Sequence, residues 1–259
     1  MSIFHTIILG IVEGITEFLP ISSTAHLEIA QRLLGIMTSD FIKSFEIAIQ
    51  LGAIMAAVFF YQKSLLSASF MYIRNIIIAF IPTGVIGFIL YKLIKSFLLG
   101  NIFIAAAMLL LGGLIIIFYE YKAKGRADIS LHKTIESLSV KELLTIGSAQ
   151  ALAVVPGVSR SGAVIISGRL LGLPKTLITE FSFLLAIPTM LAATGYDLLK
   201  SGFSFSMSEW VNIFIGAIVS FFVALIVIKW FLQYIQTHTF SIFGWYRVIL
   251  GLALLAIFL

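Results

Sequence analysis

"RNIIIAFIPTGVIGFILYKLIK", residues 74–95, is apolar enough to cross a membrane, and it lines up with "VNIFIGAIVSFFVALIVIKWFL", residues 211–232. Asn75 then falls on Asn212 and Lys92 on Lys229, an offset of about 137 residues. At nearly the same offset, "FEIAIQLGAIMA" (45–56) faces "TEFSFLLAIPTM" (179–190), with Glu46 over Glu180. Pro20 likewise falls over Pro156 and Ser23 over Ser159. One such match between apolar segments is expected by chance, but four in the same order read as a duplication.

The composition places the two copies in a lipid bilayer. A chain of 259 residues that is 60% hydrophobic and 11% charged, with a mean hydropathy of +1.11, cannot be an ordinary soluble domain. Runs long enough to cross a hydrocarbon core, about 20 residues each, lie near 44–61, 75–94, 101–120, 177–198, 210–235 and 240–258. Two further apolar stretches, near 3–35 and 142–172, are broken in the middle by proline and hydroxyl residues, at Pro20 and Pro156. If a broken stretch dips into the bilayer and returns, each unit makes three crossings, and an odd number turns the second unit upside down. The expected fold is an all-α integral membrane protein with an inverted-topology repeat, each half carrying one re-entrant helical hairpin plus three transmembrane helices. Residues 1–121 form repeat one, 122–140 a linker and 141–259 repeat two, within a single membrane domain. Interrupted segments entering from opposite faces would meet near the midplane, where such folds place their ligand.

Basic residues set the orientation. Lys63, Arg74, Lys122, Lys124, Arg126, Lys133, Lys141 and Lys175 gather on one side, against chiefly Arg32, Lys43, Lys95 and Lys200 on the other. The first side is expected to be cytoplasmic, which puts the termini and the mouth of the first broken segment outside. The formal charge of +5 is read as this orientation signal and not as a nucleic-acid patch. The N-terminus lacks a signal peptide's charged region and cleavage site, so "MSIFHTIILGIVEG" is expected to be mature protein. With zero cysteines, any metal must be held by oxygen or imidazole, which favours a hard cation.

The polar residues of the broken stretches carry the chemistry. Glu13 and Glu17 are one helical turn apart and repel unless protons or a cation lie between them. Intramembrane carboxylates usually mark a functional path, and ligation of Mg²⁺ or Ca²⁺ is the functional reading. After Pro20, Ser22, Ser23 and Thr24 look like a helix start whose free N–H groups suit an anion, with plain capping the simpler account of Ser22. His26 lies three residues past Ser23, so imidazole and hydroxyl can share a face as base and nucleophile. In "VVPGVSRSGAVI" (154–165), Gly157 and Gly162 free the backbone, and Arg160 stands alone among apolar residues. Its planar fork suits phosphate oxygens, with Ser159 and Ser161 as further donors. Acidic metal ligands from one half and an anion clamp from the other divide the labour as phosphoryl transfer requires.

"EGITEFLPISSTAH" and "PGVSRSG", in this order and separation, resemble the two signature regions of the undecaprenyl-diphosphate phosphatase family, also called bacitracin resistance proteins. The likeness spans essentially the whole chain and includes "FEIAIQLGAI" (45–54) and "EFSFLLAIPTM" (180–190). It implies a divalent-cation-dependent hydrolase of the bacterial cytoplasmic membrane. That enzyme converts the C55 polyprenyl diphosphate to its monophosphate, for cell-wall synthesis, in a site open to the outer face. It implies Glu13 and Glu17 as the acidic pair and metal ligands, Ser23 as nucleophile and His26 as acid or base. Arg160, with Ser159 and Ser161, then forms the phosphate-binding loop, with Thr24, Gly157 and Gly162 beside it. Ala25 replaces the family's usual glycine. A homodimer is compatible with this reading. The type-2 phosphatidic acid phosphatase pattern fails, because "SRSGAVIISGRLLG" lacks its histidine and acidic residue. A secondary transporter or flippase of a phosphorylated lipid or anion is the alternative from another class, since inverted repeats with broken helices are a transporter architecture.

Overall fold

Serines open most of the helices of this protein. In the computed structural model, which describes residues 1–123, 133–201 and 205–258, seven helix starts are capped by a serine hydroxyl that accepts a backbone N–H. The helices are α1 (Ile3–Thr16), α2 (Ser23–Leu33), α3 (Asp40–Phe60), the short α4 (Gln62–Leu66), α5 (Phe70–Leu93), α6 (Ile102–Ala123), α7 (Val140–Ala151), α8 (Arg160–Leu170), α9 (Lys175–Ser201), α10 (Met207–Thr237) and α11 (Ser241–Phe258). No strand occurs among the described residues.

Six helices are long and apolar enough to cross a membrane: α3, α5 with its π-helical extension to Leu98, α6, α9, α10 and α11. They fall on the six runs predicted from hydropathy. The protein is an all-helical, multi-pass membrane protein. Each broken stretch is instead a pair of short helices, α1 with α2 and α7 with α8, of 14, 11, 12 and 11 residues. At 1.5 Å per residue none reaches across 30 Å of hydrocarbon. The predicted linker 122–140 begins within α6 and ends at the first residue of α7; its residues 124–132 lie outside the described residues.

Packing pairs elements from opposite halves: α1 lies on α10 and α7 lies on α5, while α3 packs on both α9 and α10, and α6 on α11. The first two contacts use small residues at matching places. A β-carbon on Gly10 would stand 2.8 Å from the Gly216 carbonyl, and one on Gly147 would stand 2.0 Å from that of Ala79. Asparagines at matching places grip the helix starts. Asn212 Oδ1 accepts from Thr6 of α1 at 2.9 Å, and Asn75 Nδ2 donates to the Ile135 carbonyl ahead of α7 at 2.8 Å. In each case a buried amide satisfies groups that lipid would leave unpaired. The two helix pairs thereby hang from the long helices with their turns directed at one another.

Candidate active site at the hairpin turns

Both turns are built the same way. Glu17 closes α1, the chain turns through Pro20, and Ser22 takes φ +72° before α2 begins at Ser23. In the second pair, α7 gives one 3-10 turn at Leu152–Val154, passes Pro156 and Gly157, and Ser159 takes φ +71° before α8 begins at Arg160. Ser22 and Ser159 are the non-glycine residues with positive φ among those described. Such backbone costs about 1–3 kcal/mol and persists where its surroundings over-determine it. Each hydroxyl caps its own helix, Ser22 Oγ accepting from Ala25 N at 3.5 Å and Ser159 Oγ from Gly162 N at 3.1 Å.

This geometry corrects the register read from the sequence. Ser22 is the counterpart of Ser159, so Ser23 corresponds to Arg160 and not to Ser159. The prolines misalign because the second turn carries one more residue, Gly157, between proline and cap serine. Gly157 is required there: its φ is +92°, and a β-carbon would lie 2.3 Å from the Ala105 carbonyl.

The turns meet. Arg160 Nη2 donates to Glu17 Oε1 at 2.9 Å, and Ser23 Oγ donates to Glu17 Oε2 at 2.5 Å. One carboxylate thus receives the arginine and the hydroxyl on its two oxygens, the charge-assisted arrangement that makes the strongest hydrogen bonds. Arg160, expected to stand unpaired, is held by Glu17 and by the Ser182 carbonyl at 2.6 Å, while its buried Nε has no partner. Ser161 Oγ donates to the Leu19 carbonyl at 2.8 Å and lies 3.1 Å from Ser159 Oγ, so it ties one turn to the other. Glu13 lies beside Glu17, fully buried, with neither oxygen in hydrogen-bond geometry.

His26 does not reach Ser23. Its Nδ1 bonds the Ser22 carbonyl and its Nε2 the Tyr246 hydroxyl, each at 2.7 Å, and the two rings stack. Helical spacing put imidazole and hydroxyl on adjacent turns, but the first atom within reach of the imidazole is the carbonyl one turn back. Ala25 is fully buried in one apolar cluster with Ala105, so its methyl is accommodated where the resemblance leads one to expect glycine.

Sequence reasoning missed Arg247. This α11 residue is 1% exposed and donates to five backbone carbonyls, with no carboxylate among these partners. Nη1 reaches Pro20 O in the first turn at 3.1 Å, and Nη2 reaches Gly157 O and Val158 O in the second at 2.8 and 3.1 Å. The available signal was an arginine inside an apolar span. Tyr246, beside it, was missed as well.

A cavity of about 760 Å³ opens from this junction. Glu17, Ser23, Thr24, Ser159 and Arg160 line its polar end, and α5 and α9 supply mostly apolar walls. Glu13, His26, Ser161 and Gly162 stand behind that lining. Among the described residues no group of three or more His, Asp, Glu or Cys side chains is placed to share a metal ion. The two unpartnered oxygens of Glu13, next to Glu17, nevertheless fit a hard cation that completes its shell with phosphate and water oxygens.

The model of the family described as bacitracin resistance protein BacA matches residues 6–253. A protein of Aquifex aeolicus (strain VF5) named undecaprenyl-diphosphatase is 51% identical over 259 residues, all of both chains. Proteins of the same name from Sulfurihydrogenibium sp. (strain YO3AOP1) and Wolinella succinogenes are 49% and 46% identical. The first covers 97% of this chain and 98% of its own, the second 98% of each.

Proposed function

We propose that this chain, which belongs to the bacitracin resistance protein BacA family, hydrolyses undecaprenyl diphosphate to undecaprenyl phosphate and inorganic phosphate, returning the carrier lipid to cell-wall synthesis. The observation that carries this reading is the junction of Glu17, Ser23 and Arg160 at the head of a cavity whose other walls are apolar. A diphosphate on a hydrocarbon chain matches both ends.

In the reaction, the incoming diphosphate takes Arg160 from Glu17, and the freed carboxylate accepts the Ser23 proton. Ser23 Oγ attacks the terminal phosphorus and the lipid monophosphate leaves; water then releases inorganic phosphate from the serine. Arg160 and the first N–H groups of α2 and α8 hold the phosphate oxygens. His26 acts by fixing the Ser22 turn through its bond to that carbonyl. Glu13 and Glu17 would hold Mg²⁺ or Ca²⁺, whose chemistry when bound is to offset charge on the phosphates.

Each half is read as a re-entrant hairpin followed by three crossings, the halves inverted, with the site open to the outer face of the bacterial cytoplasmic membrane. Three pairs of capping serines support the duplication: Ser2 with Ser139, Ser22 with Ser159 and Ser69 with Ser206, all at one sequence offset. The exchanged contacts α1 on α10 and α7 on α5 support it too. The test is phosphate release from C55 diphosphate by purified protein, with and without chelator. Binding of the lipid without any release would overturn the phosphatase reading in favour of a transporter.

A further inference from the structure

Both ring nitrogens of His26 are taken by protein partners. The Ser22 carbonyl can only accept, so Nδ1 carries the proton of the 2.7 Å bond between them. In a neutral imidazole Nε2 is then bare, and the Tyr246 hydroxyl, 2.7 Å away on a ring stacked against it, donates to that nitrogen. Burial disfavours the imidazolium; the Ser22 carbonyl favours it, and the Arg247 guanidinium, next to Tyr246 on α11, opposes it again. Ser22 lines the cavity and His26 does not. The duplicated turn shows what the ring adds. Ser22 and Ser159 both hold positive φ, and each carbonyl accepts the backbone N–H of the residue four places on. Ala163 N reaches Ser159 O at 2.9 Å, whereas His26 N reaches Ser22 O only at 3.3 Å. Ala163 has no side-chain donor, so the second turn relies on its shorter backbone bond. In the first turn the imidazole of the same residue supplies a second and shorter bond to the strained carbonyl.

We infer that Tyr246 is a positioning residue for the hydrolysis: its hydroxyl fixes His26 as the Nδ1–H tautomer, and the imidazole holds the Ser22 carbonyl, and with it the start of α2 at Ser23, without moving a proton to or from the phosphate. The inference rests on the phosphatase reading for the reaction it serves. It removes from His26 the acid or base role that the resemblance implies, and it leaves the Ser23 proton to Glu17, whose Oε2 already accepts from that hydroxyl at 2.5 Å.

The test pairs His26→Asn with His26→Leu. Asparagine keeps a donor at the place of Nδ1 but has no group that exchanges a proton near neutral pH; leucine keeps neither. For phosphate release from C55 diphosphate, His26→Asn should stay within about tenfold of the wild-type kcat, the scale of one altered neutral hydrogen bond. His26→Leu should lose on the order of 100-fold, as a misplaced catalytic constellation does. An acid or base at His26 would instead cost both variants about 100-fold or more. Tyr246→Phe, which removes only the hydroxyl, should lower kcat about 2- to 12-fold and leave KM unchanged, because Arg160 and the helix N–H groups are untouched. NMR of protein labelled in its histidine nitrogens should show, in the signal that His26→Asn removes, a protonated Nδ1 and a bare Nε2, and a mixture of tautomers in Tyr246→Phe. His26→Asn as slow as His26→Leu, in proteins that unfold at the wild-type temperature, overturns the inference. So does an Nε2–H tautomer or an imidazolium in wild type at neutral pH, or a Tyr246→Phe protein with wild-type kcat and an unmixed tautomer. If wild type releases no phosphate, the phosphatase reading fails by itself, and the tautomer with its loss in Tyr246→Phe still decides whether Tyr246 fixes the ring.

Discussion

Arg247→Met should separate the two turns while keeping a side chain of useful apolar volume on α11. The guanidinium's bonds to Gly157 O at 2.8 Å and Pro20 O at 3.1 Å join one turn to the other. Leaving a buried carbonyl unpaired costs about 1–3 kcal/mol, so these two alone contribute about 2–6 kcal/mol. Against this, methionine relieves the desolvation of a buried charge that has no carboxylate partner, a penalty of several kcal/mol. Three further carbonyls, of Leu109, Met108 and Val158, lose their donor as well, and the net expectation is a destabilisation of about 2–4 kcal/mol. Activity should suffer more than stability, because a misplacement of about 1 Å in a catalytic constellation can cost on the order of 100-fold. Thermal unfolding in detergent and phosphate release from C55 diphosphate measure the two effects. Gly112→Ala is an independent perturbation, since its methyl would stand 2.0 Å from Arg247 Nη2 and push the guanidinium aside without altering the turns. It should lower turnover in the same direction. Arg247→Met with wild-type turnover and unfolding temperature would refute the assignment of Arg247 as the brace between the turns.

Glu17→Gln should reduce turnover at least about 100-fold, because it removes both the acceptor of the Ser23 proton and the partner of Arg160; retention of half the wild-type rate would rule Glu17 out as base. Glu13→Gln should raise the Mg²⁺ concentration needed for half-maximal rate, and an unchanged cation titration would exclude Glu13 as a ligand. Arg160→Lys should slow the reaction roughly 30- to 1000-fold, equivalent to about 2–4 kcal/mol, since lysine keeps the charge without the fork; near-normal activity would leave Arg160 a structural role. A Ser23→Cys, Ser159→Cys double variant in this cysteine-free chain should be bridged by a short thiol cross-linker and protected by substrate, and a folded protein that resists cross-linking would contradict the meeting of the turns.

The membrane helices were legible because a bilayer imposes one length and one polarity on whatever crosses it, and the runs that end at α3, α5, α6, α9, α10 and α11 meet both. Pro20 and Pro156 marked the interruptions because each stands close to glycine or hydroxyl residues, two serines among them, whereas Pro82 and Pro188 lie inside α5 and α9, which continue past them. What one dimension hid was pairing at long range. Glu17 and Arg160 are far apart in sequence, and Arg160 therefore read as lacking a partner. Arg247 read as part of an ordinary span because its partners are carbonyls, which every residue has and no pattern distinguishes. The slip in register had a similar origin: prolines are conspicuous and drew the alignment, whereas the equivalent atoms belong to two serines whose shared property is backbone strain.

With the register corrected, Ser23 and Arg160 occupy the same place in the two turns: each is the first residue of its helix, directly after a cap serine held at positive φ. A helix start aims its first residue and its free N–H groups at one point, so on the proposed reading two such starts brought together would aim both at a common phosphate. The duplicated geometry supplies the aim, and the residue types supply the difference, a hydroxyl on one side and a guanidinium on the other. Neither turn is self-sufficient. Each carries one strained serine, at about 1–3 kcal/mol, and buried groups that the other turn and Arg247 help to satisfy: Leu19 O by Ser161, Glu17 by Arg160, and Pro20 O and Gly157 O by the Arg247 guanidinium. The contacts that offset the strain are therefore the contacts that assemble the site. Substitutions at the junction should for that reason lower stability and activity together.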